Sequence, residues 1–141
     1  MKLSELIKNE LICLEKEETN KTQAIEKLVS LNESAGTLFD AKSFLREVLK
    51  REAEFSTELG YFATVPHAMS ACVKTPSVSV LASGEKLYFL ISLPQNSEAL
   101  HIEILSRLST LLLNDDFRKQ LKEAKTQKEI ISIIQKAEKE L

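Results

Sequence analysis

Ser77-Val78-Ser79-Val80-Leu81 and Lys86-Leu87-Tyr88-Phe89-Leu90-Ile91, joined through Ser83-Gly84-Glu85, are the stretch from which the fold class is read. β-Branched and aromatic residues dominate both runs, and such side chains suit a pleated, buried surface. A glycine in so short a connection predicts a tight turn, so the two runs read as a hairpin. A third run, Phe62-Ala63-Thr64-Val65, precedes them. Gly60, Pro66, Pro76, Gly84 and Pro94 separate the three. In a chain with only three glycines and three prolines, each of these residues marks a boundary.

Helical patterns lie on both sides of this central third. Upstream, Leu11-Ile12-Cys13-Leu14 reads as one more short strand. Asn20 with Gln23 then makes a capping box ahead of Ala24, Ile25, Leu28, Val29 and Leu31, and Gly36 ends that helix. Asp40 caps a second helix whose apolar stripe is Phe44, Leu45, Val48 and Leu49. Downstream, Leu100, Ile104, Leu105, Leu108, Leu111 and Leu112 form a stripe that breaks near Asn114. Phe117 and Leu121 continue on a short helix, and Thr126 with Glu129 caps a last one bearing Ile130, Ile131, Ile133 and Ile134. The expectation is an α/β protein: a single three-layer domain over residues 1–141, with a mixed central sheet of about four to five strands and helices on both faces.

Composition narrows the function classes. The chain has 141 residues, 43% of them hydrophobic and 28% charged, which suffices for a core without disulfide or metal. A net charge of −2 leaves no basic footprint for nucleic acid or an anionic membrane, and 6% aromatics with no Trp argue against base stacking. Lys119, Lys122, Lys125 and Lys128 lie among acids and read as a solvated helical face. Cys13 and Cys72 are isolated thiols. The N-terminus is too short and too charged for a signal segment, and no apolar run approaches a membrane span, so a cytoplasmic location is expected. Nothing fixes an oligomeric state, and a weak homodimer is compatible with the chain.

The chain has two histidines. His67 closes Gly60-Tyr61-Phe62-Ala63-Thr64-Val65-Pro66-His67, where proline holds Val65 extended and is expected to end the strand, leaving His67 at its tip. A neutral imidazole is a competent nucleophile near neutral pH, so a phosphohistidine is chemically reasonable there. The plainer reading is a solvent-exposed turn residue. His101 stands four residues before Leu105, close to an apolar stripe. It reads either as a donor to a phosphoryl oxygen or, more plainly, as a boundary histidine satisfied by a carbonyl. A metal site built from His67, His101, Cys13 and Cys72 has the ligand types but none of the characteristic spacings.

The segment Arg51-Glu52-Ala53-Glu54-Phe55-Ser56-Thr57-Glu58-Leu59-Gly60-Tyr61-Phe62-Ala63-Thr64-Val65-Pro66-His67 resembles the signature of fructose/mannitol-type enzyme IIA domains of the sugar phosphotransferase system. In that signature an Arg-Glu is followed by Ser/Thr residues, Gly-x-Gly, a short hydrophobic strand and Pro-His. Glu10 to Leu14 is similar to the family's first strand, Lys21 to Leu31 to its first long helix, and His101 to Ser109 to its second histidine helix. Asp116-Phe117-Arg118 and Thr126 to Ile134 extend the likeness over nearly the whole chain.

The resemblance implies a phosphotransferase component with a phosphohistidine intermediate. His67 would accept the group from the phosphocarrier protein HPr and pass it to a cysteine of a IIB domain serving a sugar permease. His101 matches the second active-site histidine and Arg51 the signature arginine near the phosphoryl group. No metal or organic cofactor is implied. Without the resemblance, Arg51 reads as a helix-end arginine and Ser56 and Thr57 as turn caps.

Three departures stand out. Phe62 replaces the second glycine of Gly-x-Gly, Ala68-Met69 follows the histidine without the usual basic residue, and the turn at Ser83-Gly84-Glu85 is short. Phe55, Leu59, Tyr61, Phe62 and Met69 flank the acceptor as candidate docking residues, with Phe62 the better candidate for core packing. A regulatory module, in which phosphorylation of His67 controls a partner, would use the same residues.

Overall fold

Local signals start each helix. The structure, a computed structural model, describes residues 1–141. Helix α1 spans Lys21–Ser34, and its capping box is complete: the Asn20 side chain accepts from Gln23 N at 2.8 Å and the Gln23 side chain accepts from Asn20 N at 3.5 Å. Gly36, at φ +75°, carries the chain out of it. Asp40, Asn114 and Thr126 each accept a backbone N–H at the starts of α2 (Ala41–Glu54), α4 (Asp115–Glu123) and α5 (Gln127–Glu138). The Glu129 carboxylate reaches back to Lys125 N, one residue short of the capping-box partner. Helix α3 is Glu98–Leu112.

The strands are β1 (Ile12–Glu15), β2 (Glu58–Gly60), β3 (Ala63–Thr64), β4 (His67–Met69), β5 (Ser77–Ser83) and β6 (Lys86–Leu93). They form one mixed six-stranded sheet in the order β1-β5-β6-β3-β2, with β4 also pairing to β6. β5 and β6 are the expected hairpin, antiparallel from Ser77↔Ser92 to Ser83↔Lys86; β1 runs parallel to β5, β3 and β4 run parallel to β6, and β2 is antiparallel to β3. The two strands that bring the sheet to six, beyond the four runs read from the sequence, are β2 and β4, each of three residues.

Because β5 and β6 are buried on both faces, alternate residues feed two separate cores. Val78, Val80, Leu87, Phe89 and Ile91 pack with Ile104, Leu108, Phe117, Leu121, Ile130 and Ile134 from α3, α4 and α5. Leu81, Tyr88 and Leu90 pack with Ile25, Leu28, Phe44 and Val48 from α1 and α2. This is the three-layer arrangement expected. No helix is long and apolar enough to cross a membrane.

The second core contains a polar island. Buried Asn32 on α1 donates to Leu28 O and to Ser79 Oγ, both at 2.9 Å, and its Oδ1 accepts from Thr37 Oγ1 at 2.8 Å and Ser77 Oγ at 2.7 Å. Every polar atom of the amide is thereby satisfied, as burial demands.

The β5–β6 turn has no slack. Gly84 sits at φ +57°, and a Cβ built there would lie 2.6 Å from Glu18 Cγ. Gly84→Ala is therefore expected to lower the unfolding free energy by about 1–2 kcal/mol through left-handed strain alone, with the clash adding to it. Urea denaturation of Gly84→Ala in wild-type and Glu18→Ala backgrounds separates the parts, since only the clash disappears with Glu18.

Candidate functional site

His67 lies on an edge that Pro66 interrupts without ending. Sequence reasoning put His67 at the tip of a terminating strand, but the strand resumes: Ala63↔Leu87, Thr64↔Tyr88 and His67↔Ile91 keep one register across the gap. The reason is that proline removes only a donor. Its carbonyl still accepts from Ile91 N at 3.0 Å, as Phe62 O does from Leu87 N at 2.9 Å. The alternate residue Val65 therefore turns its backbone away from β6. Its N–H donates to Thr57 O at 3.1 Å.

Its carbonyl is thus free for a side chain, and His67 Nδ1 lies 3.0 Å from it. A carbonyl can only accept, so the proton must sit on Nδ1 and the lone pair on Nε2. The local backbone has selected the tautomer and left Nε2 as the nucleophilic nitrogen.

Side-chain alternation puts His67 on the same sheet face as Val65, which belongs to the core under α3, α4 and α5. His101, three and seven residues before Ile104 and Leu108 on α3, ends the buried stripe of that helix. The two rings meet at 4.6 Å between centroids, tilted by 36°. His101 Nε2 is buried with no hydrogen-bond partner within the protein, so the plain reading of a carbonyl-satisfied histidine does not hold for that atom. Burial, then the neighbouring His67, then Arg51 push the His101 pKa below its ordinary 6.5, holding the ring neutral at pH 7.

Arg51 is in the last turn of α2, exposed, and engaged in no ion pair, though its charge reaches His101. The structure thus brings His67 and His101 into contact, with Arg51 near enough for its charge to act on His101. The cysteines do not join them: Cys13 and Cys72 pack against the other core, beneath α1 and α2, and no cluster of metal-ligating side chains occurs. A cleft of about 1110 Å³ between the N-terminus, α3 and α5 is lined by neither histidine. His67 is presented at the surface and half-buried.

Beside it, β2 and β3 are joined by the two-residue turn Tyr61-Phe62, both left-handed at φ +54° and +61°. A hairpin turn of this kind calls for positive φ at both central positions, which explains the glycine of the resembled signature and makes Phe62 strained here. The turn also overturns the expectation of Phe62 in the core, since Phe62 is 66% exposed and Tyr61 54%. Cations from α4 brace the tip: the Arg118 guanidinium stacks 4.0 Å from the Tyr61 ring centre and Lys122 Nζ lies 5.7 Å from that of Phe62. Phe55 and Leu59 are exposed, whereas Met69 packs partly into the core. Of the two turn caps read from the sequence, Ser56 Oγ accepts from Glu58 N at 3.4 Å, whereas Thr57 Oγ1 donates to Glu52 Oε2 and caps no backbone group. What sequence reasoning missed is the Val65 carbonyl, a backbone group with no residue signature.

Residues 5–137 match the family model described as phosphoenolpyruvate-dependent sugar phosphotransferase system, EIIA 2. The chain belongs to this family. It is 34% identical over 137 residues to the fructose-specific EIIA component of Haloferax volcanii, covering 89% of each chain. It is 34% identical over 151 residues to the fructose-specific EIIABC component of Bacillus subtilis, spanning 99% of this chain but 24% of that protein. Among solved structures it is similar to the enzyme IIA of mannitol from Escherichia coli, determined in complex with phosphorylated IIB. The TM-score there is 0.79 at 20% identity, over 93% of this chain and 99% of that one. That likeness concerns the fold.

The neutral state of His101 in this EIIA domain has a measurable signature. Its folded pKa lies below its unfolded value, so the unfolded chain takes up the proton first as pH falls. The associated stability is complete above pH 6.5 and is lost as pH drops from there through the folded pKa. Urea unfolding at about pH 7.5 and about pH 5.5 should show a larger loss in wild type than in His101→Gln. Equal losses would mean that His101 is not held neutral. Arg51→Gln should move the His101 midpoint in an NMR titration upward, but not to the free value, because burial is the larger cause.

Proposed function

We propose that the chain is a phosphoryl carrier of the sugar phosphotransferase system, working in the cytoplasm, with His67 Nε2 as acceptor. The observation that carries the reading is the bond between His67 Nδ1 and the Val65 carbonyl, beside a second neutral histidine. Family membership supports the general role.

The Nε2 lone pair attacks the phosphorus held on a histidine of HPr. The new N–P bond forms as the donor's N–P bond breaks, and the Nδ1 proton remains, its growing positive charge met by the Val65 carbonyl. Phosphoryl transfer needs mainly positioning and stabilised charge on the equatorial oxygens. His101 Nε2–H, otherwise without a partner, donates to one of these oxygens, and the uncommitted Arg51 guanidinium takes two others. In the second step a IIB thiolate attacks phosphorus and the electron pair returns to Nε2. The complex of the mannitol IIA with phosphorylated IIB supports such a partner. No metal or cofactor enters either step.

Incubation with phosphoenolpyruvate, enzyme I and HPr, then intact mass under non-acidic conditions, tests the assignment. One added phosphoryl group is expected on wild type and none on His67→Ala. Addition to the variant would place the acceptor elsewhere. No addition to folded wild type, with another IIA domain as working control, would overturn the carrier reading.

Both partners must dock where His67 is displayed, and the exposed side chains there are Phe55, Leu59, Tyr61 and Phe62. Aromatic residues at the centre of an interface carry much of its energy. Tyr61→Ala is expected to slow transfer from HPr by about tenfold through KM, whereas Met69→Ala, partly built into the core, acts mainly on stability. Rapid-quench transfer rates against partner concentration distinguish the two.

A further inference from the structure

The Val65 carbonyl can orient His67 only if Val65 is itself held in place, and β6 does not hold it. The adjacent β2–β3 pairing is irregular, shifting register between Glu58 and Gly60. What fixes Val65 on its outer side is a single bond, from its N–H to Thr57 O. Thr57 in turn is gripped at two points by one side chain. Glu52 Oε1 accepts from Thr57 N at 2.8 Å, and Glu52 Oε2 accepts from Thr57 Oγ1 at 2.7 Å. The Glu52 side chain is only 4% exposed although it lies one turn from the end of an otherwise solvated helix segment.

A buried carboxylate is costly unless donors surround it. Here the third donor is Lys21 Nζ from α1, 3.3 Å from Glu52 Oε1 and 3.4 Å from Glu58 Oε1. Burial works against the charge on Lys21, but the hydrogen bonds and charges of Glu52 and Glu58 together outweigh it and hold its pKa above the ordinary 10.5. The arrangement joins α1, α2 and the segment leading into β2.

We infer that Glu52 is a positioning residue for His67: through Thr57 and then Val65 it sets the carbonyl that selects the Nδ1–H tautomer and so exposes Nε2 for phosphoryl transfer. The inference rests on His67 being the acceptor, but its first consequence, the tautomer, is observable without any transfer. Arg51, next to Glu52 in the chain, is exposed and its charge acts on His101, while Glu52 is buried and its carboxylate is taken up by Thr57 and Lys21.

The relay orders the substitutions. Glu52→Ala removes both contacts to Thr57, leaving the segment 55–57 to find water. Glu52→Gln keeps an acceptor for Thr57 N and a donor toward Thr57 Oγ1, losing only the charge toward Lys21. Thr57→Val removes the hydroxyl contact and leaves the backbone one. Neither Gln nor Val leaves an unpaired buried charge, so these two are the variants that stay folded if Glu52→Ala does not.

The test is ¹⁵N–¹H long-range NMR of the His67 ring, with single-turnover transfer from phosphorylated HPr on the same samples. Wild type is expected in the Nδ1–H form. Glu52→Ala and, to a smaller degree, Thr57→Val should populate the Nε2–H form and slow transfer by about ten- to a hundredfold, the range expected for a misplaced reacting group. Glu52→Gln should restore the wild-type tautomer and most of the rate. A rate loss with the tautomer unchanged in Thr57→Val and Glu52→Ala would overturn the inference, as would a shifted tautomer in Glu52→Gln equal to that in Glu52→Ala. Should wild type take up no phosphate at all, the carrier reading fails, and the NMR arm still decides the relay.

Discussion

Strand β6 is hydrogen-bonded along both edges, and the rest of the molecule is arranged by that demand. One edge takes β5 over the full hairpin; the other takes β3 and β4 in line. Both faces must also be covered, since Leu87 to Leu93 are all buried. A strand enclosed in this way requires helices above and below. It also requires an outer neighbour that can tolerate a proline. Pro66 satisfies the second condition because one missing N–H costs a single ladder bond and leaves the register whole. The setting of His67 belongs to the same edge: alternation turns the Val65 carbonyl away from β6, and the His67 ring uses it.

The electrostatic logic of the site is one of withheld charge. Two imidazoles in contact would repel if both were protonated, and the protein keeps His101 neutral by burial, by the neighbouring His67 and by Arg51. Arg51 stays uncommitted at the surface, while Glu52, its neighbour in sequence, is consumed inside by Thr57 and Lys21. Two adjacent residues at one helix end thus divide between solvent and interior. A hairpin tip with two left-handed aromatic residues, braced from α4, borders the same surface.

The parts of this that could be read from residue order were those set by local physics. The hairpin β5–β6 was legible from its β-branched runs and Gly84, and the helices from their apolar stripes and from Asn20, Asp40 and Thr126 at their starts; Asn114, read only as a break, also caps α4. β2 and β4 were not, because three-residue strands have no intrinsic preference and exist only by pairing with distant segments. His67, His101 and Arg51 were singled out one at a time, His101 and Arg51 only through the family resemblance. Their meeting depends on α3 lying over the face that His67 shares with Val65. The Val65 carbonyl escaped notice because a backbone acceptor carries no residue identity. Phe62 was misjudged because hydrophobicity argued for the interior, while a two-residue turn left no way to fold it inward.

The polar island around Asn32 has a consequence for how the chain finds its fold. A strand buried on both faces could slide by two residues against α1 and keep the same face inward; on the face β5 turns to α1 only Leu81 is apolar, among Ser77, Ser79 and Ser83. The hydroxyls of Ser77 and Ser79 remove that ambiguity. Only one alignment places both against the single amide of Asn32, and every slipped alternative leaves unsatisfied polar atoms inside a dry core. The island thereby raises compact decoys in free energy rather than lowering the native state much, which smooths the descent of a sheet assembled from parallel, sequence-distant strands. The interior polarity of β5 is, on this view, information about folding kinetics written into the core.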